Sequence, residues 1–292
     1  MNRTGRLRLA VPNKGRLLDP TMRLLDDAGL ALETSPRLLV ARAAGAPIDV
    51  LAVRTEDIVE LVADGAADLG ITGLDLLTEA GAELEPLLEL GFGRCRLAAA
   101  VPEDAPARDL EDLAGCRLAT SHPETVRHFF AERDIAVEIV PMTGSVEVAP
   151  RLALADGIVD LVATGSTLTA NGLRAVGTLL ESQAVLVGRP AVVTGAGDPY
   201  EGLTADLITM LGAVVAGRRR KYLLMNAPRT ALPAIEGILP GLDSPSVIPL
   251  AHPGHVAVHA VVGADDVWGV LPRLREAGAT GILVMPVEKL LA

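Results

Sequence analysis

The chain has few aromatic residues, only two cysteines and no long apolar run. Phe, Trp and Tyr make up 2% of its 292 residues, so the core must be built from Ala, Val, Leu and Ile. Cys95 and Cys116 lack metal-ligand spacing and a disulfide framework, which favours a reducing compartment. No stretch reaches the roughly 18 apolar residues of a membrane span, and no signal-peptide region is visible. These absences predict a cytoplasmic protein.

Positive charge is also scarce, and the net charge is −11. Nucleic acid requires a basic face on its partner, so the charge argues against nucleic acid, and no feature predicts a membrane partner. Basic residues nevertheless cluster near the start of the chain, at Arg3, Arg6, Arg8, Lys14 and Arg16. This cluster permits a small polyanionic ligand. A second run, Arg218–Lys221, has the simpler interpretation of a solvated face.

Arrangements typical of covalent or zinc chemistry are not visible. There is no Ser-His-Asp or Cys-His pattern, and the histidines are scattered: His122, His128, His252, His255 and His259. The sequence therefore argues against nucleophilic catalysis and against a zinc centre.

The first two thirds of the chain alternate short apolar runs with helical patterns. Arg6–Val11 reads as a strand, and Leu17–Ala28 reads as a helix that ends at Gly29. Ile48–Val53 reads as the next strand, and Thr55 as the N-cap of the helix after it. This alternation predicts an α/β fold with a largely parallel sheet.

An internal repetition indicates two lobes. Residues 64–73 (DGAADLGITG) recur as residues 156–165 (DGIVDLVATG). Any αβ unit can give such a match, but the repetition also favours two lobes of similar topology facing a cleft, as in periplasmic binding proteins. The chain would cross between lobes near 91–96 and 182–189. Lobe I would then comprise residues 1–93 and 184–217, and lobe II residues 94–183.

From residue 218 to 292 the pattern changes to β-α-β-β-α-β, which is the ferredoxin-like order. The predicted elements are the strands Tyr222–Met225, Ser246–Leu250, Val256–Val262 and Gly281–Pro286 and the helices Leu232–Leu239 and Val267–Ala277. Small-ligand regulatory modules often have this fold, although a fold alone does not establish a function.

The strongest candidate site follows a buried strand, at Thr164, Gly165, Ser166 and Thr167. Glycine allows close backbone approach, and the free amides of a helix start attract phosphate. The hydroxyls could alternatively only cap the helix. Asp156 and Asp160, upstream, would be repelled by phosphate unless they bind sugar hydroxyls or a metal. The combination fits a ribose 5-phosphate, although either Asp could also be merely solvated.

Two further segments carry charge that a ligand could use. Gly144–Pro150 places Glu147 in the first turn of a predicted helix, where it could also simply complement the helix dipole. Pro12–Arg16 follows the first strand at its carboxyl end, where open α/β sheets bind ligands. Gly15, between Lys14 and Arg16, would allow an anion to approach closely, although this segment is also an ordinary turn.

Taken together, residues 12–17, 68–73, 144–150 and 160–173 resemble the long form of ATP phosphoribosyltransferase. The likeness extends over nearly the whole chain and includes tail segments such as Ser246–Leu250. The resemblance implies that adenine N1 of ATP displaces pyrophosphate from C1 of phosphoribosyl pyrophosphate (PRPP), with Mg²⁺ as cofactor. This reaction is the first step of histidine biosynthesis. It further implies a two-lobed catalytic region and a histidine-binding tail.

The resemblance also implies residue roles. PRPP would contact Glu147, Asp156, Asp160, Thr164, Gly165, Ser166, Thr167 and Leu168. Lys14 and Arg16 would stabilise charge on ATP and pyrophosphate. The nucleotide side of the cleft would contain Asp68, Thr72 and Gly73. Histidine contacts would include Asn226, Ser246 and Leu250, and the Mg²⁺ ligands stay unassigned.

The family assembles as homodimers and homohexamers, which the resemblance carries over to this chain. One alternative is a two-lobed solute-binding or effector-sensing protein without catalysis. Another is a phosphoribosyltransferase for a different base.

Overall fold

The computed structural model describes residues 5–32, 39–190, 200–239 and 244–291. It divides the chain into two compact units, residues 1–205 and 206–292. Arg3, part of the predicted basic cluster, lies outside the described residues. Among those described, no helix is both long and apolar enough to cross a membrane.

The helices and strands follow the alternation expected from the sequence. The α-helices are α1 (Leu18–Asp27), α2 (Ile58–Ala63), α3 (Leu74–Ala80), α4 (Pro123–Ala131), α5 (Ser166–Ala170), α6 (Glu201–Arg218), α7 (Leu232–Glu236) and α8 (Val267–Glu276). The strands are β1 (Leu7–Pro12), β2 (Val40–Arg42), β3 (Ile48–Val53), β4 (Leu69–Gly73), β5 (Glu85–Glu89), β6 (Cys95–Pro102), β7 (Arg117–Thr120), β8 (Glu138–Pro141), β9 (Gly157–Val162), β10 (Leu173–Ser182), β11 (Ala184–Gly188), β12 (Arg220–Pro228), β13 (Ser246–Pro249), β14 (His255–Gly263) and β15 (Thr280–Pro286).

The first unit contains two sheets. The first sheet has the order β2-β3-β1-β4-β11-β5, in which β1 runs parallel to β3 and β4. Strand β1 is an almost continuous buried apolar run, as expected for a parallel strand covered on both faces. The second sheet has the order β10-β6-β9-β7-β8, with β7 parallel to β8 and β9.

Within the described residues, the chain passes between these two sheets twice. It leaves the first sheet after β5 and enters the second at β6, and it returns between β10 and β11 at Gln183. These crossings fall within or beside the two segments that the sequence indicated. The predicted class, an α/β fold with two lobes, is confirmed.

The second unit contains a four-stranded antiparallel sheet of order β13-β14-β12-β15. The chain order of its elements is β-α-β-β-α-β, as predicted, and the ferredoxin-like fold is confirmed. Leu223, Met225, Val256 and Val258 are fully buried in its core beside Leu274 of α8. Alternate residues of β12 and β14 point to the core because side chains alternate along a strand.

Local structure differs from expectation in three places. Residues 146–152 form two short 3₁₀ turns rather than an α-helix, and Ser145 has a φ of 52° and makes no cap hydrogen bond. Asp156 follows these turns, whereas Asp64, its counterpart in the repetition, directly follows helix α2. Thr55 starts a 3₁₀ turn before α2, also without a side-chain cap.

Candidate functional site

Loops from both sheets of the first unit enclose a cavity of about 500 Å³. The segments that follow β1, β3 and β4 of the first sheet and β7 and β8 of the second reach the cavity, together with Leu161 of β9. The carboxyl ends of parallel strands are the usual ligand sites of open α/β sheets. The cavity is lined by Lys14, Gly15, Arg16, Leu17, Thr55, Glu56, Gly73, Asp75, Leu76, Ser121, His122, Met142, Thr143 and Leu161.

The turn after β1 places two predicted cations on one wall. Gly15 has a φ of 79°, a left-handed conformation that glycine adopts without strain. The turn leaves Lys14 and Arg16 exposed at the cavity. Arg16 Nη2 lies 3.9 Å from Asp75 Oδ1. The wall therefore carries two positive charges, one of which faces a buried carboxylate.

Asp75 lies at the centre of a buried polar network that joins the two sheets. Ser182, the last residue of β10, donates its hydroxyl to Asp75 Oδ1 and accepts the backbone N–H of Asp75 at 3.0 Å. His122 Nε2 lies 3.5 Å from Asp75 Oδ2, and the other ring nitrogen is 3.0 Å from Ser121 Oγ. A side chain at Gly73 would overlap the Asp75 carboxylate, which explains why this position is glycine.

The charge state of Asp75 follows from these contacts. Burial raises the pKa of its carboxyl, but the close approach of the His122 ring, the Ser182 hydrogen bond and the charge of Arg16 together outweigh that effect. The net pKa therefore lies below the ordinary value of 3.8, and Asp75 is a carboxylate at neutral pH.

The predicted phosphate loop lies at the same edge of the second sheet but is not part of the cavity wall. It follows β9, which pairs with β7, the strand that leads to Ser121 and His122. Gly165 has a φ of 84° and immediately precedes α5, whose first amides have no partner within the helix. Thr164 Oγ1 lies 3.0 Å from Ser166 Oγ, and both residues are exposed, as is Thr167. The Leu168 side chain is buried, so only its backbone faces the loop.

Glu147 and Asp160 lie close enough to influence each other. Burial raises the pKa of Asp160, and the negative charge of Glu147 raises it further, while hydrogen bonding from the Leu161 amide and the proximity of His122 oppose the shift. The pKa is raised overall. Asp160 directly precedes Leu161, a residue of the cavity wall, and carboxylates that influence each other favour positive charge nearby.

Two predicted residues lie at the opposite edge of their sheets. Asp156 precedes β9 and binds Arg117 through the backbone N–H at 2.8 Å and through Nη2 at 3.1 Å. Strand β9 separates it from Thr164 by roughly 20 Å at the usual rise per residue. Asp68 likewise precedes β4, where it accepts the Arg8 amide at 2.8 Å. The structure thus does not bring Asp156 to the phosphate loop or Asp68 to the cleft.

Thr72 and Gly73 end β4 at the cavity edge. Gly73 lines the cavity, whereas Thr72 is fully buried and donates its hydroxyl to the Thr55 carbonyl at 3.3 Å. Thr72 therefore supports the cavity wall rather than forming it.

The predicted effector residues lie in the second unit. Asn226 is exposed between the buried Met225 and Ala227, and the exposed Ser246 pairs with His259. Both therefore lie on the sheet face that is turned away from the core. Leu250 directly follows β13 and is half-buried.

Sequence reasoning did not single out Asp75, His122 or Ser182. The only local signal is the Thr-Gly turn of residues 72 and 73, which starts α3 and so places Asp75 in its first turn. Ser182 is 107 residues from Asp75, and no local pattern links the two.

Comparison with known proteins gives matches over nearly the whole chain. A family model described as ATP phosphoribosyltransferase matches residues 54–211, and a model described as the HisG C-terminal domain matches residues 217–289. ATP phosphoribosyltransferases of Gemmatimonas aurantiaca and Maricaulis maris are 46% and 43% identical to the chain. These alignments cover 98% and 99% of this chain and 99% and 100% of the relatives. The ATP phosphoribosyl transferase (HisG:HisZ) complex from Thermotoga maritima aligns with a TM-score of 0.59 and 26% identity, covering 70% of this chain and 98% of that chain.

Proposed function

Because this chain belongs to the ATP phosphoribosyltransferase family, and is thus a pentosyltransferase, we propose that it transfers the phosphoribosyl group of PRPP to ATP. The N1–C1 bond forms as the bond from C1 to pyrophosphate breaks, and pyrophosphate leaves with the electron pair. The product is 1-(5-phosphoribosyl)-ATP, the first intermediate of histidine biosynthesis. The observation that carries the proposal is the cavity wall that presents Lys14 and Arg16 beside a second sheet bearing the 164–168 loop.

The charged residues at the site suit the charges that develop during the reaction. Adenine N1 is unprotonated at neutral pH, so no strong general base is needed. Charge is the obstacle, because pyrophosphate gains negative charge while C1 becomes positive. Lys14 and Arg16 supply cations for the leaving group and the ATP phosphates, and Asp160 and Glu147 supply carboxylates that favour a positive ribose. Holding both anionic substrates in one cleft provides further acceleration.

The donor set near the cavity also fits Mg²⁺. Among the described residues, no group of three or more His, Cys, Asp or Glu side chains is arranged to hold a metal. Mg²⁺ commonly uses only one or two carboxylates, with substrate phosphates and water completing its shell, so Glu147 or Asp160 is the candidate ligand. When bound there, Mg²⁺ would supply charge neutralisation of the pyrophosphate.

We further propose that histidine binds the ferredoxin-like unit and inhibits the reaction. Asn226 and Ser246, on its outer sheet face, are the candidate contacts, together with Leu250. The proposed assembly is a homodimer that forms homohexamers. The histidine site and the assembly are both supported by membership of the family, since the model of the HisG C-terminal domain matches residues 217–289.

The direct test is release of pyrophosphate from ATP and PRPP by the purified chain. We expect release with ATP, dependent on Mg²⁺, and none when free nucleobases replace ATP. Release with another base instead would identify a different phosphoribosyltransferase. Binding of either substrate without any release would favour a solute-binding protein and refute the proposal.

A further inference from the structure

Helix α3 carries two carboxylates on one face, and both reach the second lobe. Asp75 and Glu79 are four residues apart, so their side chains lie on the same side of the helix. Asp75 faces His122, as described above. Glu79 contacts the residues that follow His122, at the start of α4.

The Glu79 carboxylate accepts three hydrogen bonds from the first turn of α4. The backbone N–H groups of Glu124 and Thr125 donate to it at 2.9 and 2.8 Å, and the Thr125 hydroxyl donates at 2.7 Å. Glu79 is half-buried and Thr125 is buried. These are charge-assisted bonds at the positive end of a helix, where a carboxylate is most stabilising.

Helix α4 depends on this contact because it has no cap of its own. His122 occupies its N-cap position and makes no side-chain hydrogen bond to the helix. Histidine is not among the preferred N-cap residues, and its ring is directed to Asp75 and Ser121 instead. The cap is therefore supplied from the other lobe, 45 residues earlier in the chain.

We propose that Glu79 is a positioning residue for phosphoribosyl transfer. By capping α4 from the other lobe, it holds the wall of Ser121 and His122 opposite the wall of Lys14 and Arg16. Within the described residues, two chain crossings join the sheets, so contacts of this kind stabilise the arrangement in which the two walls face each other, here called the closed arrangement, and set its population. Loss of the cap lowers that population, and the apparent affinity for both substrates falls by the same fraction. The kinetic part of this inference rests on the proposed function.

The test is Glu79→Gln in the full-length chain, which keeps the shape but removes the charge and one acceptor. Glu83→Gln is the matched control, since Glu83 is exposed and lies four residues further on. We expect the KM values for ATP and PRPP to rise about tenfold with kcat within about twofold, because saturating substrate restores the closed state. Amide hydrogen exchange should accelerate at Glu124 and Thr125 and also at Asp75, whose N–H is bound to Ser182 at the crossing.

The exchange measurement separates positioning from simple helix capping. Faster exchange at Glu124 and Thr125 alone, with unchanged KM values and unchanged exchange at Asp75, would show a local cap and overturn the proposal. An equal effect of Glu83→Gln would overturn it as well. If Glu79→Gln does not fold, Thr125→Val removes only the hydroxyl bond and should give smaller changes in the same direction; no change would count against the proposal. A wild-type chain that releases no pyrophosphate, combined with faster Asp75 exchange in the variant, would refute the function but not the positioning.

Discussion

Replacing Gly165 tests the phosphate loop most directly. Its φ of 84° is left-handed, a conformation that costs other residues about 1–2 kcal/mol. A Cβ at this position would have one neighbour, Val162 Cγ1 at 4.0 Å, and would otherwise point into open space. Gly165→Ala should therefore fold, with a loss of about 1–2 kcal/mol in the free energy of unfolding.

The effect on PRPP should be much larger than this strain. If phosphate sits against the amides that follow Gly165, the methyl group displaces it and weakens hydrogen bonds worth about 1.5–3 kcal/mol each to a charged group. Loss of two such bonds weakens binding by roughly a hundredfold or more. Gly165→Val should abolish PRPP binding in a folded protein, because the larger side chain would occupy the place of the phosphate. Strain of a β-branched residue at positive φ should lower its stability further than in Gly165→Ala.

Gly172 provides the matched control at the other end of α5. Its φ is 67°, and nothing lies within 4 Å of the position that a Cβ would take. Gly172→Ala should show a similar loss of stability in urea unfolding while PRPP affinity, measured by calorimetry, stays within about twofold of wild type. Equal PRPP affinity of the two Ala variants would show that the loop does not bind the phosphate of PRPP.

Three further predictions concern charge and regulation. Lys14→Ala and Asp160→Asn should each lower kcat at least about tenfold without loss of stability. The control Asp156→Asn, at the far end of β9, should keep the wild-type kcat. A variant of Lys14 or Asp160 with lower stability and normal kcat would show that the residue has a structural role. Asp75→Asn should destabilise the protein at neutral pH. The lowered pKa of the Asp75 carboxyl in the folded state adds stability above about pH 3.8, and this stability is lost as the pH falls through the folded-state pKa. A stability difference between variant and wild type that stays constant in urea unfolding from pH 7 to pH 3 would contradict this. Histidine should inhibit by binding to residues 218–292, without competing with the substrates. If saturating concentrations of both substrates fully overcome the inhibition, and histidine does not bind to that unit, the tail functions in assembly rather than in regulation.

Local pattern was sufficient for the architecture because each element depends mainly on its own residues. Both copies of the repetition, residues 64–73 and 156–165, contain a strand that leads into a helix, β4 into α3 and β9 into α5, although β4 begins after the second Asp of its copy and β9 after the first. Local pattern was less reliable where an element is short. The 3₁₀ turns of 146–152 contain the same residue types as a helix start, and they end after three residues each.

The site was harder to predict because it combines distant positions. Asp75, His122 and Ser182 meet only once both sheets have formed, and each alone resembles an ordinary polar residue. Asp156 shows the opposite error, since nearness in sequence to the phosphate loop suggested nearness in space. A six-residue strand carries the chain from one edge of the sheet to the other, so the two ends of β9 face different surroundings.

The order of strands in the first sheet has a consequence for how the protein is made. Strand β11 lies between β4 and β5, yet it emerges from the ribosome about 110 residues after β4. At a synthesis rate of roughly 5–20 residues per second, β4 stays unpaired on the side that β11 later occupies for roughly 5–20 s. The second sheet, formed from one continuous stretch, is complete before β11 appears. We therefore expect lobe I, which contains the first sheet, to fold after lobe II. Until β11 is made, the unpaired edge of β4 is the part of the nascent chain most exposed to aggregation.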